Sequence, residues 1–277
     1  MAYICREAIV NITGRVRNGL KQPVCWPRFG EIAGKTVIVT GASSGIGHAI
    51  CLELAREGVN LVLNARDRGP LVEVENLCRE LGVKVESVAG SAASRDISAH
   101  LVKTALQSGQ FFGVIHAAGV LNPGPLVWEL SEGEFQEVFD ASVNGAFQLA
   151  RAAIPHIEKG GFVVFFGSGA AQMAFPGIGA YCAAKAAEEH LARQLAAEAP
   201  WITTFAFRPG VVDTPMMKAG GLGKGSAAES VKMIFEGYAK RGELIAPEVP
   251  AHALVSIIKN SPGRFHGKIA NWQDAVG

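Results

Sequence analysis

The stretch from Lys35 to Glu57 constrains the fold of this chain more than any other. Lys35–Thr40 is a short run rich in β-branched residues, which predicts a buried parallel strand. The turn Thr-Gly-Ala-Ser-Ser-Gly-Ile-Gly follows at once, and a helix with one apolar face is predicted over Ile46–Glu57. A strand, a tight glycine turn and a helix in this order begin a doubly wound α/β sheet.

The same alternation of strand and helix continues along the chain. Further strands are predicted at Val59–Leu63, Val83–Val88, Phe112–His116, Phe162–Phe166, Thr203–Phe207 and Lys268–Trp272. Further helices are predicted at Leu71–Leu81, Ile97–Leu106, Ser131–Ile157, Tyr181–Ala199 and Ala251–Lys259. No repeat or linker interrupts the pattern, so we expect one Rossmann-like α/β domain over residues 31–277, a doubly wound parallel sheet with helices on both faces.

Residues 1–30 differ in composition from the rest, because they hold five basic residues and a single acid. Such a segment fits an organelle-targeting peptide, for instance a mitochondrial one, but we favour an N-terminal arm on the surface of the domain. The net charge of +1 argues against nucleic acid as a partner, and no apolar run reaches the length of a membrane span. Five scattered cysteines predict no metal site and a reducing compartment, the cytoplasm.

The glycines of the first turn are spaced Gly-x-x-x-Gly-x-Gly. Backbone amides at the positive end of a helix bind a pyrophosphate, and the absence of side chains lets the phosphates approach. An ordinary glycine-rich turn is the alternative, but the position directly after the first strand favours a dinucleotide site. The turn residues expected to bind the cofactor are Gly41, Ser43, Ser44, Gly45, Ile46 and Gly47.

The end of the second strand indicates which dinucleotide binds. An acid at this point holds the free ribose hydroxyl of NAD, whereas an arginine accommodates the 2′-phosphate of NADP. Ala65 occupies the acid position and Arg66 follows, and a guanidinium matches phosphate geometry. We therefore predict NADP(H) as the cofactor. Asp67 leaves NAD open, since a strand two residues longer would bring it to the ribose.

Tyr181 and Lys185 lie four residues apart and share one face of a predicted helix. An ammonium close to a phenol stabilises the phenolate, so the tyrosine can exchange a proton as a hydride moves. Ser168, thirteen residues before the tyrosine, would stabilise charge on the substrate oxygen. Together with the glycine turn, these residues predict hydride transfer between a nicotinamide dinucleotide and a ketone or aldehyde, with Tyr181 as proton donor and acceptor.

From about Ile32 to Trp272 the chain resembles the short-chain dehydrogenase/reductase family, of the common single-domain type. The resemblance implies that Ser168, Tyr181 and Lys185 are the catalytic serine, tyrosine and lysine. Pro209–Thr214 resembles the family's proline-glycine segment, and Gly267–Trp272 resembles endings common in fungal members. The further residues that the resemblance places against the cofactor are Ser91, Ala118, Gly119, Tyr181, Lys185, Val212 and Thr214.

The chain departs from this family at several points. His116 and Ala117 replace two asparagines of the turn before Gly119, and we expect His116 to pack at the end of a strand and Ala117 to affect stability. Ser142 occupies the position of a fourth catalytic residue, an asparagine. In the family the backbone carbonyl at this position helps to hold a relay water, and Ser142 also has that carbonyl. Asn144 lies about 200° around the helix and cannot substitute.

The stretch from Met216 to Gly242 combines glycines with apolar residues, which predicts a mobile lid over an apolar pocket. The residues expected to form this pocket are Met216, Met217, Met233, Ile234, Phe235 and Tyr238. We therefore expect an apolar, small-molecule carbonyl or alcohol as substrate. Alanine-rich helix faces predict a homodimer or homotetramer. The alternatives are an NAD-dependent alcohol dehydrogenase, a dehydratase or epimerase on the same scaffold, and a sensor that binds the dinucleotide without reaction.

Overall fold

The computed structural model describes residues 32–260 and 262–276, and the N-terminal arm predicted at residues 1–30 lies outside them. The described residues form a parallel sheet in the order β3-β2-β1-β4-β5-β6-β7. Its strands are β1 (Lys35–Thr40), β2 (Asn60–Ala65), β3 (Val85–Ala89), β4 (Gln110–His116), β5 (Phe162–Phe166), β6 (Thr203–Arg208) and β7 (Ile269–Asn271). The strand order reverses between β1 and β4, and ligands of such sheets bind at this switch point. The predicted fold class is confirmed.

Helices cover both faces of the sheet. They are α1 (Gly45–Arg56), α2 (Arg68–Glu80), α3 (Arg95–Ser108), α4 (Glu132–Phe139), α5 (Gly145–Ala153), α6 (Gly179–Glu198), α7 (Pro215–Ala219), α8 (Ala228–Lys240) and α9 (Glu248–Asn260). Because successive strand residues point to opposite faces, Val37 and Val39 join one apolar core and Ile38 joins the other. The first core packs on α1, α2 and α9, and the second packs on α3, α5 and α6.

The helix predicted over Ser131–Ile157 is interrupted. Its start is as expected, because Ser131 caps the Glu134 amide and the Glu134 side chain accepts a hydrogen bond from the Ser131 amide. A π-helical turn over Asp140–Asn144 then separates α4 from α5. Helix α5 ends at Ala153, two residues before Pro155, whose ring and missing N–H do not fit a helix interior. Wide turns of this kind are frequent at functional sites.

The predicted lid has more regular structure than its glycines indicate. Thr214 caps α7 through a hydrogen bond from the Met217 amide, and Pro215 occupies the first turn. A short 3-10 helix, Gly220–Leu222, then leads towards α8. The last predicted strand is shorter than expected, because β7 ends at Asn271 and Trp272 begins a 3-10 helix.

Gly113, in the middle of β4, provides a test of this packing. A Cβ built on Gly113 would lie 2.5 Å from the ring of Phe162, its partner in β5, and that ring is fully buried. Overpacking a core destabilises a protein by about 1–3 kcal/mol, so we expect Gly113→Ala to lower the free energy of unfolding by that amount. Urea unfolding measures it.

A second substitution shows whether the ring is the cause. Phe162→Leu removes the atoms that the new methyl group meets, so the double variant Gly113→Ala/Phe162→Leu should be more stable than the sum of the two single losses predicts. Strictly additive losses would contradict the packing described here.

Candidate active site

The turn between β1 and α1 can pack closely against neighbouring backbone only because it contains glycines. Gly41 has φ +67°, and a Cβ on it would lie 2.8 Å from the Ala117 carbonyl carbon and the Ala118 amide nitrogen. A Cβ on Gly47 would lie 2.2 Å from the carbonyl oxygen of Gly41. The side chain of Ser44, the N-cap residue, accepts no hydrogen bond from the first turn of α1. The amides at this helix end therefore face the turn without a side-chain cap, as anion sites do.

A cavity of about 530 Å³ lies over this turn. Its walls include most of the residues predicted to bind the cofactor, namely Gly41, Ser43, Ser44, Gly45, Ile46, Gly47, Arg66, Ser91, Ala118, Gly119 and Thr214. The structure thus brings together residues from five separate segments of the chain at the switch point between β1 and β4. Their role in binding stays a prediction.

The far end of this cavity is formed where β2 and β3 end. Buried Asn64 donates hydrogen bonds to the carbonyls of Val88 and Gly90, at 2.8 and 3.0 Å, and so holds the two strand ends together. Strand β2 ends at Ala65, and exposed Arg66 lines the cavity. Asp67 is the N-cap residue of α2 and lies outside the lining.

A second cavity, of about 380 Å³, adjoins the first and shares Ile46, Thr214 and Met216 with it. Ser168, Tyr181 and Val212 line the second cavity. Its other walls are largely apolar, with side chains that include Leu121, Met173, Phe175, Ile178, Met217, Phe235, Tyr238 and Trp272. Met233 and Ile234 were also predicted to line this pocket, and that prediction is wrong: both are absent from its walls, and their surfaces are 60% and 38% exposed.

The loop that carries Ser168 is held by a buried carboxylate. Ser168 follows β5, and its amide donates a hydrogen bond to Glu189 Oε1 at 3.2 Å. Both oxygens of Glu189 also accept hydrogen bonds from Arg208, at 2.7 and 2.8 Å. A Cβ on Gly167 would lie 2.5 Å from Glu189 Oε1, so only glycine leaves room for this carboxylate. Glu189 and Arg208 therefore fix the backbone that presents Ser168.

Lys185 lies beneath the cavities with 3% of its surface exposed. Its Nζ donates to the Phe166 carbonyl and to Glu188 Oε2, both at 2.7 Å, and lies 5.7 Å from the centre of the Tyr181 ring. Burial acts to lower the pKa of Lys185, but its electrostatic interactions, above all with Glu188, outweigh burial, so that pKa lies above its usual value. Lys185 therefore remains an ammonium.

His116 lies at the centre of a chain of buried hydrogen bonds. Its Nε2 lies 3.0 Å from the Ala141 carbonyl oxygen and 3.1 Å from that of Ser142, so Nε2 carries the proton. Nδ1 then accepts from the hydroxyl of Thr40 at 2.8 Å. Burial, followed by the charge of Lys185, lowers the pKa of His116 to about 4, so the ring is neutral at physiological pH. The predicted strand-end packing is correct, and the ring also ties β1 and β4 to the π-helical turn.

Ser142 lies inside the π-helical turn and is fully buried. Its hydroxyl has no hydrogen-bond partner among the described residues, and its carbonyl accepts from His116. A Cβ on Gly119 would lie 3.9 Å from Ser142 Oγ and 3.8 Å from Lys185 Nζ. The Ser142 hydroxyl and the Lys185 ammonium therefore both lie close to Gly119. Asn144 donates to Asp140 at 2.5 Å, which agrees with the expectation that it does not replace the family's asparagine.

Sequence analysis missed the two acids that surround the lysine and the serine loop. Glu188 and Glu189 follow Lys185 by three and four residues, a spacing that places all three side chains on one side of a helix. Two adjacent acids within the alanine-rich part of α6 were the available signal. Their partners were hidden, because Arg208 comes from β6 and the Phe166 carbonyl from β5.

The described residues contain neither a metal-ligand cluster nor a membrane-spanning helix. Across residues 32–260 and 262–276, no group of three or more histidine, cysteine, aspartate or glutamate side chains converges as a metal site would require. None of the helices described above combines the length and apolar character needed to cross a membrane.

This arrangement defines a doubly wound α/β protein with a glycine turn at its switch point. The sequence profile described as short chain dehydrogenase matches residues 35–223. An uncharacterised oxidoreductase of Schizosaccharomyces pombe is 31% identical over 250 residues, which cover 89% of this chain and 99% of that protein. An NADPH-dependent pterin aldehyde reductase of Arabidopsis thaliana is 30% identical over 194 residues, which cover 67% of this chain and 78% of that protein.

A solved structure of a short-chain dehydrogenase/reductase from Saccharomyces cerevisiae is also similar. It has a TM-score of 0.78 and 29% sequence identity, and the match covers 87% of this chain and 97% of that one. The chain therefore belongs to the short-chain dehydrogenase/reductase family, a family of oxidoreductases that bind a nicotinamide dinucleotide.

His116 gives a pH-dependent test of this site. Its unfolded-state pKa of 6.5 exceeds the native value of about 4, so protons favour unfolding, and the stability that the neutral ring contributes is lost as pH falls through that range. His116→Asn removes the titration. We expect the stability of the wild type relative to this variant to fall by about 2 kcal/mol between pH 7 and pH 5. Urea unfolding at both pH values measures it, and an unchanged difference would refute the assignment.

Proposed function

We propose that the protein is an NADPH-dependent carbonyl reductase that converts an apolar, small-molecule ketone or aldehyde to the alcohol. The observation that carries this proposal is the junction of the two cavities. The cavity over the glycine turn adjoins a mostly apolar cavity that Ser168 and Tyr181 line. A dinucleotide in the first cavity and a carbonyl compound in the second would meet at these two hydroxyl groups.

The residues of the first cavity fit a dinucleotide. Gly41 and Gly47 allow the tight turn that no residue with a Cβ could form, and the uncapped amides of α1 favour a phosphate at the turn. Ser91, Ala118 and Thr214 would line the remainder of the cofactor's path. Tyr181, Lys185 and Val212 are proposed to contact its nicotinamide half.

Arg66 supports NADP(H) as the cofactor. Arg66 lines the cavity at the end of β2, where a 2′-phosphate is expected, whereas Asp67 is the N-cap residue of α2 and lies outside the lining. Arg66 pairs with Glu137 at 2.9 Å, and both side chains are well exposed. An exposed pair of this kind contributes little, so a phosphate can compete for the guanidinium. The word NADPH in the name of the Arabidopsis relative is consistent with this choice.

The reaction assigns one task to each polar group. When bound, the cofactor would supply the hydride that the carbonyl carbon accepts. Tyr181 donates its phenolic proton to the carbonyl oxygen, so that an alcohol forms and a phenolate is left behind. Ser168 donates a hydrogen bond to the same oxygen while charge develops on it. The ammonium of Lys185 stabilises the phenolate, and the Ser142 carbonyl is proposed to assist proton return.

The composition of the second cavity supports an apolar substrate. Methionine, phenylalanine, isoleucine and tryptophan side chains form most of its wall. Arg208 also lines this cavity, but its Nε and Nη2 donate hydrogen bonds to Glu189 and its Nη1 donates one to Gln172. The guanidinium charge is thus largely compensated, which leaves little to attract an anionic substrate. A bicyclic aromatic ketone such as 2-tetralone is a suitable probe for this space.

The exposed faces of α5 and α6 bear on how copies of this chain assemble. We propose a homodimer or homotetramer that pairs through the faces of α5 and α6. An apolar groove lined by Phe147, Ala150, Ile154, Leu191 and Leu195 runs between these helices. Phe147 is 46% exposed in the single chain, which a second copy would cover.

The cofactor assignment predicts that NADPH binds at least about tenfold more tightly than NADH, since a charged hydrogen bond contributes about 1.5–3 kcal/mol. Arg66→Ala should weaken NADPH by a similar factor and leave NADH unchanged. Arg68→Ala is the matched control, because Arg68 is exposed at the start of α2 and lies outside the cavity lining. Fluorescence titration gives all the affinities, and equal binding of the two cofactors by the wild type would overturn the NADP(H) assignment.

The proton-donor assignment predicts that Tyr181→Phe lowers kcat for ketone reduction by about a hundredfold or more, because the ring remains but its exchangeable proton is lost. NADPH affinity should stay within about threefold of the wild-type value, since the residues of the glycine turn are unchanged. Consumption of NADPH, with circular dichroism as the folding check, measures the effect. A folded Tyr181→Phe protein with near wild-type turnover would rule out this mechanism.

The same assay separates the alternatives. Loss of one NADPH for each alcohol formed excludes a dehydratase or epimerase, which regenerates its cofactor. Tight binding of NADPH without turnover of any carbonyl compound would favour the sensor. A clear preference for NADH would favour the NAD-dependent alcohol dehydrogenase.

A further inference from the structure

Glu188 is a buried carboxylate to which the proposed reaction assigns no task. It lies on α6, three residues after Lys185, and it is fully buried. Its Oε2 accepts a hydrogen bond from Lys185 Nζ at 2.7 Å, while its Oε1 has no hydrogen-bond partner among the described residues. A carboxylate buried with an unsatisfied oxygen destabilises a fold, so packing alone gives no reason for it.

The neighbouring acid shows what a structural carboxylate looks like in this fold. Glu189 uses both oxygens, which accept two hydrogen bonds from Arg208 and one from the Ser168 amide. Among the described residues, the side-chain hydrogen-bond partner of Glu188 is Lys185. Other buried positions on this helix are alanines, such as Ala184 and Ala192, so an apolar residue is compatible with it. The contacts of Glu188 therefore indicate a role in holding Lys185 rather than in stabilising the fold.

The contacts of Lys185 show how the hydrogen bond to Glu188 orients the ammonium. An ammonium has three N–H donors, and two of them are directed to the Phe166 carbonyl and to Glu188. A Cβ on Gly119, which lines the dinucleotide cavity, would lie 3.8 Å from Nζ. Because two N–H donors of the ammonium are held by the protein, the third is left to face the dinucleotide cavity.

The charged and titratable groups around Glu188 are few. On its own helix these are Lys185, Glu189 and, through the lysine, Tyr181. From the packed strands, Arg208 of β6 is bonded to Glu189, and His116 of β4 is neutral. Burial is the largest influence on Glu188 and raises its pKa to about 7, against the opposing effect of Lys185. Its charge therefore changes within the physiological range.

We propose that Glu188 is a positioning residue that holds the Lys185 ammonium under Tyr181, and that its negative charge raises the upper pH limit of carbonyl reduction. This inference rests on the proposed function. An ionised Glu188 offsets the positive charge of Lys185, which weakens the stabilisation of the Tyr181 phenolate. The phenol then keeps its proton, and remains a proton donor, to higher pH than it would beside an unpaired ammonium.

Glu188→Gln is the variant that tests this role, because glutamine keeps the shape and an acceptor oxygen but removes the charge. We expect the alkaline limb of the kcat/KM profile for 2-tetralone reduction to move to lower pH by about one unit. Glu188→Leu removes the acceptor as well and should weaken NADPH binding on the order of tenfold. Glu198→Gln, an exposed glutamate at the end of the same helix, is the control and should match the wild type.

A cofactor-free measurement tests the ionisation itself. A carboxyl group whose native pKa is raised above 4.5 contributes its full stability below that pH and loses it as pH rises through about 7. The melting temperature of Glu188→Gln relative to the wild type should therefore increase from pH 5 to pH 8. A constant difference across this range would overturn the inference.

The outcomes separate the two proposals. If the wild type reduces the ketone and Glu188→Gln has the same pH profile, the role of Glu188 is refuted and the proposed function stands. If the wild type and the Glu198→Gln control reduce no carbonyl compound, the proposed function fails and this inference fails with it. A shifted alkaline limb together with pH-dependent stabilisation supports both.

Discussion

The buried ammonium of Lys185 is the interaction on which the rest of the site depends. A positive charge can be buried only with partners, and here the partners come from the end of β5 and from the next turn of α6. They hold α6 against the carboxyl ends of the central strands. Tyr181 stands one turn earlier on the same helix, and Ser168 follows the same strand β5. The placement of one cation thus sets the relative positions of the groups proposed to carry the chemistry.

The charge of Lys185 also affects residues that do not touch it. It adds to burial in lowering the pKa of His116, so that a neutral ring can donate to the carbonyls of the π-helical turn and accept from Thr40. Ser142 lies in that turn, and both its hydroxyl and the Lys185 ammonium lie close to Gly119. Hydrogen bonds through His116 therefore connect β1, β4 and the π-helical turn beneath the cofactor cavity.

Much of this architecture is predictable from sequence, because local rules determine it. The boundaries of β1 and β5 agree with their hydrophobic runs, and the glycines of the first turn are required by close backbone contacts. The π-helical turn is different, since no local pattern distinguishes it from continuous helix. The partners of Glu188 and Glu189 are non-local in the same way: burial and contacts with β5 and β6 give these acids their roles.

The transfer of deuterium from NADPH labelled at the reactive C4 position tests the central claim most directly. The account predicts that reduction of 2-tetralone by the wild type places one deuterium on the carbon that bears the new hydroxyl group, as mass spectrometry of the alcohol would show. Tyr181→Phe should abolish formation of this labelled product. Consumption of labelled NADPH without deuterium at that carbon, or label transfer by Tyr181→Phe at the wild-type rate, would contradict the account.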